Sequence, residues 1–186
     1  MIKREIIAKS DFIISFGSML ADNKEDIRNS IIESIAKTNA KFTYMHPIDN
    51  IDLKLYYTQF IKYEVGSEEG ICALLMDTFI KECDEKTRKF INDLDLGYIS
   101  GESSAGEEEF EESYSNYLEA KNKLLIIGDD LIEHEKIENI IKLLALIKKY
   151  TNFELIVLNE DLGNKINLCT NFDLEEIEEL KSFNGT

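Results

Sequence analysis

Proline occurs once (Pro47), tryptophan not at all, histidine twice (His46, His134) and cysteine three times (Cys72, Cys83, Cys169). Three scattered cysteines argue against a disulfide framework, and a reducing cytoplasm is the natural setting for such usage. With no C-x-x-C or C-x-H spacing, the chain lacks the ligand pattern for zinc or an iron–sulfur cluster. Basic residues are scarce: 21 Lys and Arg face 37 Asp and Glu, a formal net charge of −16. Nucleic acid and anionic membrane surfaces both need clustered positive charge, so neither is an expected partner. A solvated acidic surface, or a basic protein partner, fits better. No apolar run reaches the roughly 18 residues that a membrane-spanning helix needs, and no long apolar segment follows the basic start, so neither membrane insertion nor a signal peptide is expected.

Hydrophobic residues make up 44% of the 186, enough for a packed core. Phe12–Phe16 (FIISF) and Lys123–Ile127 (KLLII) are short continuous apolar runs, the pattern of strands buried on both faces of a parallel sheet. Each ends at a glycine, Gly17 and Gly128. KFTYMH (41–46) and FELIVL (153–158) read as further strands, the former ended by Pro47. Apolar residues at helical spacing follow: Ile27, Ile31, Ile32 and Ile35; then Ile71, Leu74, Leu75 and Phe79; then Ile137, Ile140, Ile141, Leu144 and Ile147. Helices are also expected near 85–94 and 107–121, and an acidic one over 173–182. Residues 57–65 look extended or irregular. The stretch 97–106 (GYISGESSAG) has three glycines and three serines and reads as a loop. Asn23 is positioned to cap the helix that begins after Gly17. The alternation of strands and helices predicts an α/β fold: a parallel, doubly wound (Rossmann-like) sheet flanked by helices, over 1–160, followed by a C-terminal helical extension with an acidic helix over 161–186. The two strand–glycine–helix–strand halves are read as repeated βα units rather than a duplication.

Three places could carry chemistry. In the first, Gly17 and Ser18 lead through a polar loop to Asp22 and Asn23, where backbone amides at a helix start favour an anion. One glycine is not the G-x-G-x-x-G of a dinucleotide site, and no P-loop lysine follows, so a turn and a helix cap is the simpler reading. In the second, Gly128-Asp129-Asp130 sets two carboxylates side by side for a divalent cation or a ribose hydroxyl, against the ordinary reading as a solvated loop. The third is the histidines. His46 sits at a strand end, and His134 lies between Glu133 and Glu135; neither belongs to a recognisable triad motif, though such triads need not be local in sequence. The cysteines read as small apolar residues. The glutamate runs EEEFEE (107–112) and EEIEE (175–179) read as solvated helix faces.

Several phrases together resemble a known family: DFIISFGSMLADN, KFTYMHPID, YTQFIKYEVGSEEG, GYISGESSAGEEE and LLIIGDDL with ENIIKLLALIKKYT, in that order over roughly residues 8–160. They are similar to the large iron–sulfur subunit of bacterial NADH-quinone oxidoreductases, whose C-terminal part has the molybdopterin oxidoreductase fold. The resemblance implies that Gly17, Ser18 and Asn23, with His46 on a second loop, are vestiges of a guanine-dinucleotide site. It implies no cofactor in this chain, with the iron–sulfur clusters elsewhere in the full subunit. It implies the other subunits of the respiratory complex's peripheral arm as partners, and a cytoplasmic location peripheral to the inner membrane. The sequence departs from cofactor-binding relatives at Lys24, where a proline commonly follows the asparagine, and has no Cys or Ser setting suited to an active-centre metal. The start of the chain, ten residues before a core strand, suggests a fragment, which should leave an exposed strand edge or apolar patch facing its missing neighbour.

Two other readings stay open on the sequence. One is a domain of a true molybdopterin enzyme of the formate dehydrogenase type, with an open pocket along 17–23. The other is a free-standing flavodoxin-like binding module.

Overall fold

The computed structural model describes residues 2–177. Five strands, β1 (Phe12–Phe16), β2 (Lys41–Met45), β3 (Gln59–Ile61), β4 (Lys123–Ile127) and β5 (Glu154–Val157), form one all-parallel sheet in the order β3-β2-β1-β4-β5. This is the doubly wound α/β arrangement: the chain builds outward from β1, then returns to lay β4 on the other side of β1. Phe12 pairs with Lys41 on one side and Lys123 on the other, and the register holds through to Phe16 between Met45 and Ile127.

Both faces of the central strands are covered, which explains their unbroken apolar runs. Phe12, Ile14 and Phe16 point into one core layer, and Ile13 into the other. The second layer is closed by α1 (Ile2–Lys9) and α2 (Glu25–Thr38), which contribute the fully buried Ile7 and Ile31. The first layer is closed by α3 (Glu68–Phe79), α4 (Glu85–Asn92), α5 (Leu96–Ser103), α6 (Glu107–Glu119), α7 (Ile137–Tyr150) and α8 (Glu160–Leu168). α7 contributes Ile140, Leu143, Leu144 and Ile147, all fully buried. Each such side chain is worth about 1.5–3 kcal/mol in transfer from water. Where the strands begin, Phe79, Tyr117 and Phe153 pack edge to face or tilted, with ring centroids 4.9–5.1 Å apart. No helix among the described residues is long and apolar enough to cross a membrane.

Four features differ from the sequence reading or add to it. The glycine- and serine-rich stretch 97–106 is not a loop but mostly α5. The Asp95 carboxylate accepts the Tyr98 amide at 3.1 Å and starts the helix, Ile99 is buried, and the Ser103 hydroxyl bonds back to the Ile99 carbonyl. Packing of Ile99 on the core thus offsets the roughly 1 kcal/mol that each helical glycine costs. Asn23 does not cap α2: it lies in a 3-10 turn, Asp22–Lys24, and the cap position is Lys24, with no side-chain cap bond. Of the acidic helix expected over 173–182, the described residues hold a 3-10 turn, Leu174–Glu176, capped by Asp173; residues 178–182 lie outside the described residues. Finally, α1, β3 and α8 are additional elements; α8 packs on α7 and β5 through Leu162 and Ile166.

Candidate functional site

In a doubly wound sheet, the place to look is the carboxyl end of β1 and β4, where the strand order reverses and a crevice can take a ligand. Both strands end there in a glycine. Gly17 has φ +73°, a conformation open to glycine at no steric cost. The Gly128 amide donates to the Phe16 carbonyl at 2.7 Å, and the Asp130 amide to the Gly17 carbonyl at 3.1 Å. These bonds carry the sheet's pairing past its last residues and bring the two loops into direct contact. A Cβ on Gly128 would lie 1.8 Å from the Gly17 carbonyl oxygen and 2.5 Å from the Ser18 Cβ. A Cβ on Gly17 would meet the Leu131 side chain at 2.6 Å. Leu131, fully buried, packs against Gly17. The switch point is therefore filled by the chain itself.

The flanking loops are tied across it. The Ser18 hydroxyl accepts the Leu20 amide at 3.2 Å. The Asn50 side-chain amide, from the loop after β2, donates to the Met19 carbonyl at 2.7 Å, and Arg28 donates to the Leu20 carbonyl at 3.3 Å. Lys24 pairs with Asp129 at 2.8 Å. His46 is buried and stacks on Tyr44; its Nε2–H donates to Asp130 at 3.1 Å while Nδ1 accepts the Ile48 amide at 3.0 Å. Burial, then the Asp49 carboxylate, raises the Tyr44 phenol's pKa. The adjacent carboxylates thus serve two different loops instead of converging on a cation, and among the described residues no group of three or more His, Cys, Asp or Glu could hold a metal ion.

Of the sequence candidates, Gly17, Ser18 and His46 come together at the switch point, as members of this closure. Asn23 is exposed and takes no part in these hydrogen bonds.

A second polar cluster lies beside it, at the start of α3. Tyr63 and Ser67 are buried, and neither hydroxyl finds a hydrogen-bond partner. The His134 Nε2–H donates to the Gly66 carbonyl at 3.0 Å and lies 3.4 Å from the Glu68 carboxylate, while Nδ1 accepts the Lys136 amide at 2.9 Å. The nearby Glu68 carboxylate holds the imidazole's pKa above its ordinary value, against the effect of burial. Buried Glu69 accepts from Asn139 at 2.6 Å. Burial first, then Glu68, pushes the Tyr63 phenol's pKa well up. Ser67, His134 and Glu68 are the residue types of a nucleophilic triad, but both His134 nitrogens are engaged by backbone, leaving none to take the serine proton. His46 is likewise engaged at both nitrogens. Burial raises the Cys72 pKa and keeps it a thiol, as expected of a core residue.

No family model matches the sequence, and no curated protein matches it.

A groove of about 800 Å³ lies elsewhere, where α4, the end of α7 and the segment after α8 meet; Asp84, Lys148, Lys149 and Phe172 line it. Asp84 there accepts from Thr87 and Tyr150, the latter bond lowering its pKa most.

Sequence reasoning missed Leu131, Tyr63 and Ser67. Leu131 gave no signal, because the residue it covers is a glycine 114 positions away in the chain.

Proposed function

We propose that this chain is a structural α/β domain of the large iron–sulfur subunit of a respiratory NADH-quinone oxidoreductase. In that role it supports electron transfer from NADH towards quinone and holds no redox centre itself. The observation that carries the reading is the closed switch point, where Gly128 packs on the Gly17 backbone and Leu131 covers it. A domain that clasps a guanine dinucleotide needs that space and free backbone donors there. Here the Gly128, Asp130 and Leu20 amides already donate, to the Phe16 and Gly17 carbonyls and the Ser18 hydroxyl. The family resemblance supplies the biological setting: the peripheral arm as partner, on the cytoplasmic side of the inner membrane. Among the phrases that carry it, DFIISFGSMLADN and LLIIGDDL are the segments that close on each other.

Two measurements test this. A tagged chain isolated from its own cells should bring NADH-quinone reductase activity with it. Its isolation without that activity removes the respiratory assignment. The purified chain should show no rise in melting temperature with millimolar GMP or GDP, because ligand that binds only the folded state must stabilise it by mass action. A rise with guanine nucleotides points instead to a cofactor-clasping domain. A rise with NADH alone points to a free-standing nucleotide module.

A further inference from the structure

Seven of the ten large hydrophobic side chains exposed among the described residues follow the ends of β1, β2, β3 and β4. Among them Met19 is 37% exposed, Ile48 55%, Ile51 83%, Leu55 92%, Val65 68% and Ile132 38%. The loops that bear them are fastened to one another. Asn50 holds the loop of Ile48 and Ile51 to Met19, His46 holds it to Asp130 near Ile132, and His134 holds the Ile132 loop to Gly66, next to Val65. In the β2–β3 crossover, Leu53 turns fully inward while Ile51 and Leu55 on either side turn out. A solvated crossover would carry polar residues at the outward positions. The exposure is thus a presented surface rather than scattered leftovers.

Its charge restricts what can cover it. The same loops expose Asp49, Asp52, Glu64, Asp130, Glu133 and Glu135, against Lys54 and Lys62. We infer that the carboxyl end of the sheet is a protein-docking face for a partner surface whose apolar side chains are ringed by lysine and arginine. The inference rests on the scaffold reading and gives it a face. A second copy of this chain would bring the same acidic rim and a net charge of −16 against it. An anionic membrane is repelled for the same reason. Opposite charge around an apolar centre steers the right partner and rejects like-charged ones.

The test is photocrosslinking of the full chain in its own cells, with benzoylphenylalanine placed at Ile51, Leu55 or Val65. Leu118 and Leu168 serve as controls; both are well exposed but lie at the ends of α6 and α8, away from the face. Expected is a common protein partner, captured several-fold more from the three face positions than from the controls, through a peptide rich in Lys and Arg. The exposed pair Glu133→Lys with Glu135→Lys should cut that yield several-fold while leaving the melting temperature unchanged. Equal capture from the controls, crosslinks only to a second copy, or a partner peptide without basic residues would overturn the docking face. Those outcomes leave the respiratory assignment to be judged by the activity that co-isolates with the tagged chain. Conversely, a basic partner unrelated to any redox subunit keeps the face and removes the assignment.

Discussion

Gly128 and Gly17 lie 111 positions apart in the chain and share one space: a Cβ on the first would fall 1.8 Å from the carbonyl oxygen of the second. Doubly wound sheets reverse their strand order at this place, and their ligands enter there. Here two backbones meet instead, zipped by the Gly128 and Asp130 amides and covered by Leu131. At these two glycines the crevice is closed by the chain itself.

Gly128→Ala should destabilise the chain by about 3 kcal/mol or more, because the obstacle is backbone that cannot rotate away. Gly17→Ala should cost less, about 1–3 kcal/mol: it strains a left-handed φ but meets only the end of the Leu131 side chain. Leu131→Ala alone should cost about 3 kcal/mol as a buried truncation. Combined with Gly17→Ala, its cost should fall short of the sum by about 1 kcal/mol, since the small residue leaves room for the new methyl. Urea unfolding of the four variants measures all of this. Strict additivity would mean that Leu131 does not cover Gly17 in solution.

What can be read from sequence follows from how local each signal is. FIISF and KLLII announce strands buried on both faces because every residue in them is constrained, and β1 and β4 run over those residues. α7 is legible from its apolar spacing. The strand β3 is only half visible, since at an edge it needs just three paired residues, Gln59–Ile61. α5 reads as a loop because its glycines and serines report local preference, whereas the burial of Ile99 that holds the helix is tertiary. The same division runs through the site. Gly17, Ser18 and His46 stand out as strand-end residues, yet their roles depend on Gly128, Leu131 and Asp130, which no spacing rule connects to them.

The three polar or charged candidates from the sequence should separate by structural role. Ser18→Ala removes the acceptor of the Leu20 amide and should cost about 1 kcal/mol. His46→Ala releases Asp130 and the Ile48 amide and should cost about 2 kcal/mol or more, with a cavity left under Tyr44. Asn23→Ala, exposed and not the cap, should stay within about 0.5 kcal/mol. Chemical denaturation distinguishes this order from that of a binding loop, in which Asn23 would matter to ligand affinity and little else.

Tyr63→Phe should stabilise the protein. The Tyr63 hydroxyl is buried without a partner, so deleting it removes a desolvation cost of about 1 kcal/mol. For a chain of this length that corresponds to a melting temperature about 2–4 °C higher. Thermal unfolding by circular dichroism reads it directly. A lower melting temperature would show that the hydroxyl is hydrogen-bonded in solution, to a buried water or to the equally buried Ser67.

His134 gives the fold a dependence on pH whose sign can be worked out. Glu68 raises the imidazole's folded-state pKa above the roughly 6.5 of an unfolded chain. The folded state therefore binds the proton more tightly. The resulting stabilisation is fully present below about pH 6.5 and is lost as pH rises through the higher folded value. The stability advantage of the wild type over His134→Gln should accordingly shrink across that window. What remains above it is the pH-independent part, chiefly the bonds to the Gly66 carbonyl and the Lys136 amide. Glu68→Gln should bring the His134 pKa down and flatten the dependence, since it removes the largest cause of the shift. Imidazole titration by NMR, with His46→Gln used to assign the two histidines, measures the pKa itself. If His134 titrates below the ordinary value in the wild type, the Lys136 amide on Nδ1, which a second ring proton would oppose, outweighs the Glu68 carboxylate, and stability would instead rise with pH from that lowered value up to about 6.5.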